Sequence, residues 1–192
     1  MMSRGQAHTL EAFIAAILLV TAVIFATQAT AVTPLSASTS NQHIENQLRA
    51  NANDLLASAD ESGALQDAVL DLNETAGRFT GAEERGYFTN AGPPNDFGAA
   101  LNATFGDRNI AFNVYVTYLE ANETQTTSLV YMGSPSDNAV TASRTVFLYN
   151  ETMLTGPDEK PVSESVFYGE MNGQAGSELY NVLEVRLVVW RM

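Results

Sequence analysis

The first pattern along the chain is an uncharged run from Ala12 to Val32, whose first fifteen residues, AFIAAILLVTAVIFA, are strongly apolar. A bilayer core of about 30 Å is crossed by roughly 20 helical residues. The run therefore predicts a transmembrane helix over 12–32, preceded by a short cytoplasmic region over 1–11.

The second pattern is amphipathic and helical. Pro34 and the SASTS that follows predict a turn-rich break, since proline disfavours helix at the preceding residue and kinks helices. Beyond it, Ile44, Leu48, Leu55 and Leu56 recur near one helical face. We therefore predict a stalk helix over 33–60 that is kinked at Pro34, and a short helix over 64–72.

The third pattern has a period of two and follows a stretch rich in Gly, Asn and Pro, 77–106, that predicts a loop. Alternating β-branched and aromatic residues then predict strands, over 110–120, 127–133, 139–150, 184–190 and, more weakly, 163–171. Successive strands joined by short turns favour an antiparallel sheet. The predicted fold class is α+β, with a head domain over 61–192.

Charge narrows the possible partners. The formal net charge is −13, from 22 acidic and 9 basic residues, and Lys160 is the one lysine. Nucleic acid is excluded as a partner, because phosphate binding needs a basic surface. The acidic, lysine-poor composition resembles that of proteins from extreme halophiles. With no cysteine, the chain has no disulfide, thiolate metal site or cysteine nucleophile.

The apolar run has three interpretations. Arg4 precedes it and no basic residue follows before Arg49, so the positive-inside tendency places the N-terminus in the cytoplasm and the head outside the cell. A permanent signal anchor fits this arrangement. A cleaved secretory signal also fits, with Ala29-Thr30-Ala31 as its cleavage site. Neither interpretation assigns a function to Glu11, which lies directly before the run.

A third interpretation includes that acid. Arg4-Gly5, Gln6 and Glu11, followed by the apolar run, resemble the N-terminus of type IV pilins, archaellins and a group of haloarchaeal pilin-like membrane proteins. The resemblance implies cleavage by prepilin peptidase between Gly5 and Gln6. It also implies that Glu11 is neutralised by the N-terminal amine of a neighbouring subunit, so that the apolar helices form a homo- or hetero-oligomer. Counted from Gln6, Glu11 is the sixth residue, whereas the family usually has its acid at the fifth.

Four Asn-X-Thr sequons are candidate N-glycosylation sites in a segment that we expect outside the cell. Their asparagines are Asn73, Asn102, Asn122 and Asn150.

No motif predicts a catalytic, cofactor-binding or metal site. The two histidines, His8 and His43, have no second ligand or nucleophile at a usable spacing, and no phosphate-binding loop or nucleophile elbow is present. The sequence thus predicts a single-pass pilin-like surface protein of structural function, either a filament subunit or an accessory pseudopilin. The alternative is an anchored or secreted extracellular binding domain of a halophile that has no filament role.

Overall fold

The computed structural model describes residues 4–29, 33–121, 123–169, 171 and 177–192, with side chains over 8–27 and, apart from Asp107, from 42 onward within those ranges. The chain divides into two compact units, Met1–Ile44 and Glu45–Met192. Each unit is described by itself.

The N-terminal unit contains helix α1 (Arg4–Ala29) and the first part of helix α2 (Thr33–Glu61). The apolar run is helical as expected up to Ala29, and residues 30–32 lie outside the described part. The stretch 35–39, expected as a turn, instead belongs to α2. Proline is tolerated in the first turn of a helix because the N–H groups there have no carbonyl partner within the helix. The kink at Pro34 stays a prediction.

In the C-terminal unit, the rest of α2 contributes one apolar face to the core. Its buried side chains recur at the three- and four-residue spacings of a helical face: Leu48, Ala52, Leu55, Leu56 and Ala59. Helix α3 (Ala64–Leu70) begins directly after Gly63, whose φ of 82° lies in the left-handed region that glycine adopts without strain. The short helix expected over 64–72 is confirmed and ends at Leu70.

A four-stranded antiparallel sheet completes this unit, in agreement with the predicted fold class. Its strands, in spatial order β4-β3-β6-β5, are β3 (Ile110–Glu120), β4 (Glu123–Tyr131), β5 (Val140–Tyr149) and β6 (Leu179–Arg191). Alternate residues of β6 face the core, namely Leu183, Val185, Leu187 and Val189. A two-stranded hairpin, β1 (Leu72–Asn73) and β2 (Arg78–Phe79), lies outside this sheet.

The predicted loop over 77–106 is wrong at its end, because Asp96–Phe105 form helix α4. The Asn95 side chain caps this helix by accepting a hydrogen bond from the Gly98 N–H at 3.1 Å. Phe97, Leu101 and Phe105 are spaced four residues apart and fully buried, which is the pattern of a core-facing helix. The glycines and asparagines around them concealed it.

The weak strand predicted over 163–171 is also wrong. Val162–Glu164 form a 3-10 turn, and the following chain is irregular. Side chains, rather than a neighbouring strand, satisfy the backbone here: the N–H of Phe167 donates to Ser165 Oγ, and that of Val166 donates to Glu74 Oε2. Tyr168 is fully buried, and its hydroxyl donates to the Val69 carbonyl at 2.8 Å.

Asn181, which is fully buried on β6, extends the sheet with its side chain. Backbone pairing between β3 and β6 ends at Thr117 and Glu184. Beyond that point, Asn181 Nδ2 donates to the carbonyls of Leu119 and Gly169, each at 2.7 Å, and Oδ1 accepts from the Leu119 N–H at 3.3 Å. One amide therefore satisfies three backbone groups that no strand reaches, and its Oδ1 also accepts from the Val182 N–H of its own strand at 2.8 Å.

Candidate functional site

The surface of α1 is the candidate site that the structure brings out most clearly. Each side chain from His8 to Thr27 is exposed, and this is the one helix in the described part of the chain that is long and apolar enough to cross a membrane. At 1.5 Å per residue its 20 residues span about 30 Å, which matches the hydrocarbon thickness of a bilayer. A cleaved signal sequence has the same length and composition.

The polar side chains within this apolar surface satisfy their own hydrogen bonds. Thr21 Oγ1 donates to the Ile17 carbonyl at 2.7 Å, and Thr27 Oγ1 donates to the Ile24 carbonyl at 2.9 Å. A hydroxyl bonded to its own helix does not need water, so neither threonine opposes an apolar environment.

Glu11 has a partner on its own helix. Its Oε2 lies 3.7 Å from Nδ1 of His8, one turn earlier, and both side chains are 82% exposed. The contact is an ion pair when the imidazole is protonated. No role was predicted for His8. The pair could have been predicted from the three-residue spacing, because residues three apart on a helix are neighbours.

The two sides of α1 differ in the size of their side chains. With 3.6 residues per turn, Ala15, Ala22 and Ala26 lie within about 40° of His8 around the helix axis. Ile17 and Ile24 lie on the opposite side. The charged pair and these three alanines thus share one face with Leu19, and the two isoleucines lie on the opposite face.

The predicted leader junction, Gly5 and Gln6, lies within the first turn of α1. Helix ends fray readily, so the chain needs to unwind only one turn to become extended at this bond. Cleavage itself stays a prediction.

The three sequons in the described part of the chain differ in local structure. Asn73 ends β1, Asn102 lies on α4, and Asn150 follows β5. Asn122 lies outside the described residues, directly after Ala121, which has a left-handed φ of 49° between β3 and β4.

A groove of about 540 Å³ lies on the C-terminal unit between α2, α3 and α4. Its lining combines apolar and acidic groups with one arginine, and includes Leu55, Ala59, Asp67, Asp96, Thr104 and Arg108. The sequence does not predict this groove, because the groove depends on α4, whose residues were expected to form a loop.

Glu74 is the centre of a charged cluster that sequence reasoning also missed. Its side chain is 10% exposed, its Oε2 lies 3.4 Å from Nζ of Lys160, and Oε1 accepts a hydrogen bond from the Ser165 hydroxyl. Burial alone would raise the pKa of Glu74, but hydrogen bonds from Ser165 and the Val166 N–H, together with the Lys160 ammonium, hold that pKa below its ordinary value. The cluster ties the turn after β1 to residues 158–166, which is a structural role.

Among the described residues, no group of three or more histidine, aspartate or glutamate side chains is arranged to hold a metal ion. No curated protein and no solved structure matches the chain. Residues 4–189 match the model of a family of unknown function, DUF7288, and the chain belongs to that family.

Proposed function

We propose that the chain is a pilin-like structural protein of the cell surface, anchored by α1, that acts as a filament subunit or an accessory pseudopilin. The observation that carries this proposal is the fully exposed apolar surface over 8–27, with Glu11 at its beginning. In a permanently folded soluble unit, a surface of this kind would be a strong aggregation liability.

Glu11 supplies the reason for assembly. An acidic side chain is costly within a membrane, about 2.5–3.5 kcal/mol at the centre of a helix and less near its end. His8 offsets part of that cost only when it is protonated. The amine released at Gln6 by leader cleavage, when it belongs to a neighbouring subunit, would neutralise Glu11 without depending on His8. Ala15, Ala22 and Ala26 share this face, and small side chains let helices approach closely.

Arg4 before the apolar run, with no basic residue after it until Arg49, supports an orientation with the N-terminus inside and the C-terminal unit outside. Prepilin peptidase and other pilin-like subunits are the protein partners implied, and the lipid bilayer is the third partner. No cofactor is part of this proposal.

The decisive experiment is N-terminal sequencing of the protein isolated from the membranes of the organism that makes it. A first residue of Gln6 supports the proposal. A first residue of Val32 indicates secretion, and an intact Met1 or Met2 indicates a plain anchor. Either of these results would overturn the pilin assignment.

A second experiment compares Glu11→Gln with the matched control Glu84→Gln, an exposed glutamate of the head. We expect the Glu11 variant to integrate into membranes normally and to be lost from the sheared filament fraction, since it retains its anchor and loses the charge that directs assembly. The control should behave like the wild-type protein. Equal recovery of both variants in the filament fraction would contradict a role for Glu11 in assembly.

The groove on the C-terminal unit favours a second candidate function, an anchored or secreted binding domain with no filament role. This candidate predicts that the protein is absent from sheared filaments and that its N-terminus begins elsewhere than Gln6.

A further inference from the structure

In the folded head, the sequons in the described part of the chain offer different chemistry to a glycosyltransferase that acts after folding. We propose that Asn73 is the glycan-bearing asparagine among Asn73, Asn102 and Asn150. The inference rests on the proposed extracellular position of the head. It adds to that function a modification site and the class of co-substrate that the site would take.

Both side chains that define the Asn150 sequon, those of Asn150 and Thr152, form hydrogen bonds within the chain. Its Nδ2, the atom that a glycan would occupy, donates to the Ser177 carbonyl at 3.0 Å. The hydroxyl of Thr152 accepts a hydrogen bond from the Tyr149 N–H at 3.1 Å. The carboxamide is therefore held against its own chain, and the threonine contributes to a turn.

Asn102 is confined by helix α4. Its Oδ1 accepts from the Gly92 N–H at 3.1 Å, and the hydroxyl of Thr104 donates to the Ala100 carbonyl at 2.8 Å. The asparagine is half-buried, as Asn73 and Asn150 also are, and what sets this sequon apart is that all three of its residues have helical backbone. Presenting this sequon in an extended form would disrupt a helix whose Phe97, Leu101 and Phe105 are fully buried.

Asn73 uses its Oδ1 in the same way as Asn102 and differs from it in the threonine of its sequon. Its Oδ1 accepts from the Ala76 N–H at 2.8 Å, and within the described residues neither its Nδ2 nor the Thr75 hydroxyl has a hydrogen-bond partner. Thr75, Ala76 and Gly77 are all exposed. The middle residue of the sequon, Glu74, turns the other way, into its cluster with Lys160 and Ser165. The turn is thus anchored on one side and open on the other.

The reaction at this site is a glycosyl transfer that needs no oxidant or reductant. The co-substrate is a sugar linked through phosphate or pyrophosphate to a membrane lipid. The bond between its anomeric carbon and the phosphate oxygen breaks, and the lipid phosphate or pyrophosphate leaves with the bonding electron pair. A carbon–nitrogen bond forms to Asn73 Nδ2, and one amide proton is released to the transferase. Oδ1 takes no part, so the hydrogen bond from Ala76 survives the modification.

The sequence allows each sequon to be tested separately. An arginine-specific protease releases Asn73 in the fragment 50–78, Asn102 in 86–108, Asn122 in 109–144 and Asn150 in 145–186, with one sequon in each. The experiment is mass spectrometry of these fragments from the full-length protein, purified from the organism that makes it. Thr75→Ala removes the sequon and leaves both Asn73 and the hydrogen bond from Ala76 in place. Thr141→Ala, an exposed threonine outside any sequon, is the matched control.

We expect a glycan mass on the fragment 50–78 of the wild-type protein and of Thr141→Ala, and its complete loss in Thr75→Ala. A bare 50–78 fragment, whether the other sequons are modified or not, would overturn the inference. Protease digestion of intact cells separates this failure from that of the proposed function. A bare Asn73 on a head that is cleaved from outside refutes the modification alone, and a head that is protected inside the cell refutes both.

Discussion

Asn181 offers a sharp test of how the head is held together. In Asn181→Ala, the N–H and C=O of Leu119 and the C=O of Gly169 lose their partners. A buried backbone group left without a partner costs about 1–3 kcal/mol. Leu119 and Gly169 are both half-exposed, so water can reach part of the three groups. Three such groups sum to about 3–9 kcal/mol, and we therefore expect the free energy of unfolding to fall by about 3–4 kcal/mol, at the lower end of that sum.

The assay is urea unfolding of the full-length protein in mild detergent, followed by tryptophan fluorescence. Trp190, the one tryptophan of the chain, lies on β6 with 6% of its surface exposed, on the same strand as Asn181. Its emission therefore reports on unfolding of the strand that the substitution weakens. Asn138→Ala, in the exposed turn before β5, is the matched control and should change stability by less than about 0.5 kcal/mol.

A loss for Asn181→Ala no larger than that of the control would refute the reasoning. It would mean that the three backbone groups find water or other partners without cost, and that the side chain of Asn181 is not what joins β3, β6 and residue 169.

Three further predictions follow from the charge and surface of the chain. Leu18→Arg places a charge at the centre of α1 and should make membrane integration less favourable by about 3–4 kcal/mol, tested by carbonate extraction against Leu18→Ile; equal extraction of both variants would contradict a membrane-spanning role. Because the pKa of Glu74 is lowered in the folded state, its stabilisation is present above the unfolded pKa and is lost as the pH falls through the folded value. The free energy of unfolding should thus fall more steeply on acidification in wild-type protein than in Glu74→Gln, and parallel slopes would exclude the Glu74 network. Finally, a net charge of −13 makes self-repulsion large, so raising NaCl from about 0.1 M to about 1 M, where the Debye length drops from about 10 Å to about 3 Å, should raise the midpoint of urea unfolding. A lower midpoint at high salt would show that ion pairs outweigh the repulsion.

The elements that could be predicted from the sequence are those whose residue types follow one clear pattern. The strand predicted over 110–120 matches β3 residue for residue, since its alternating β-branched and aromatic side chains fit no other structure. Helix α4 was missed because Gly and Asn, which are poor helix formers, lie among its three buried apolar residues and weaken the local helical signal. The segment over 163–171 was mistaken for a strand because its backbone partners, among them Glu74, are about 90 residues away in the chain.

The features of the candidate site also differ in whether they could be predicted from the sequence. The length of α1 and the position of Glu11 could be predicted, because both are local properties of the sequence. The differences among the sequons could not, since they depend on tertiary contacts such as that between Asn150 and Ser177. The groove could not be predicted either, because α4 lines it and its lining residues come together only in the tertiary structure.

The position of β6 has a consequence for biosynthesis. This strand lies at the centre of the sheet, between β3 and β5, although it follows both in the chain. Neither of them can complete its pairing before residues 179–191 have been synthesised, so the head cannot close during most of translation. The N-terminal helix emerges from the ribosome long before that moment. In the proposed orientation, α1 therefore reaches the membrane ahead of any folded head, and the rest of the chain crosses as an unfolded polypeptide whose final strand triggers folding on the far side.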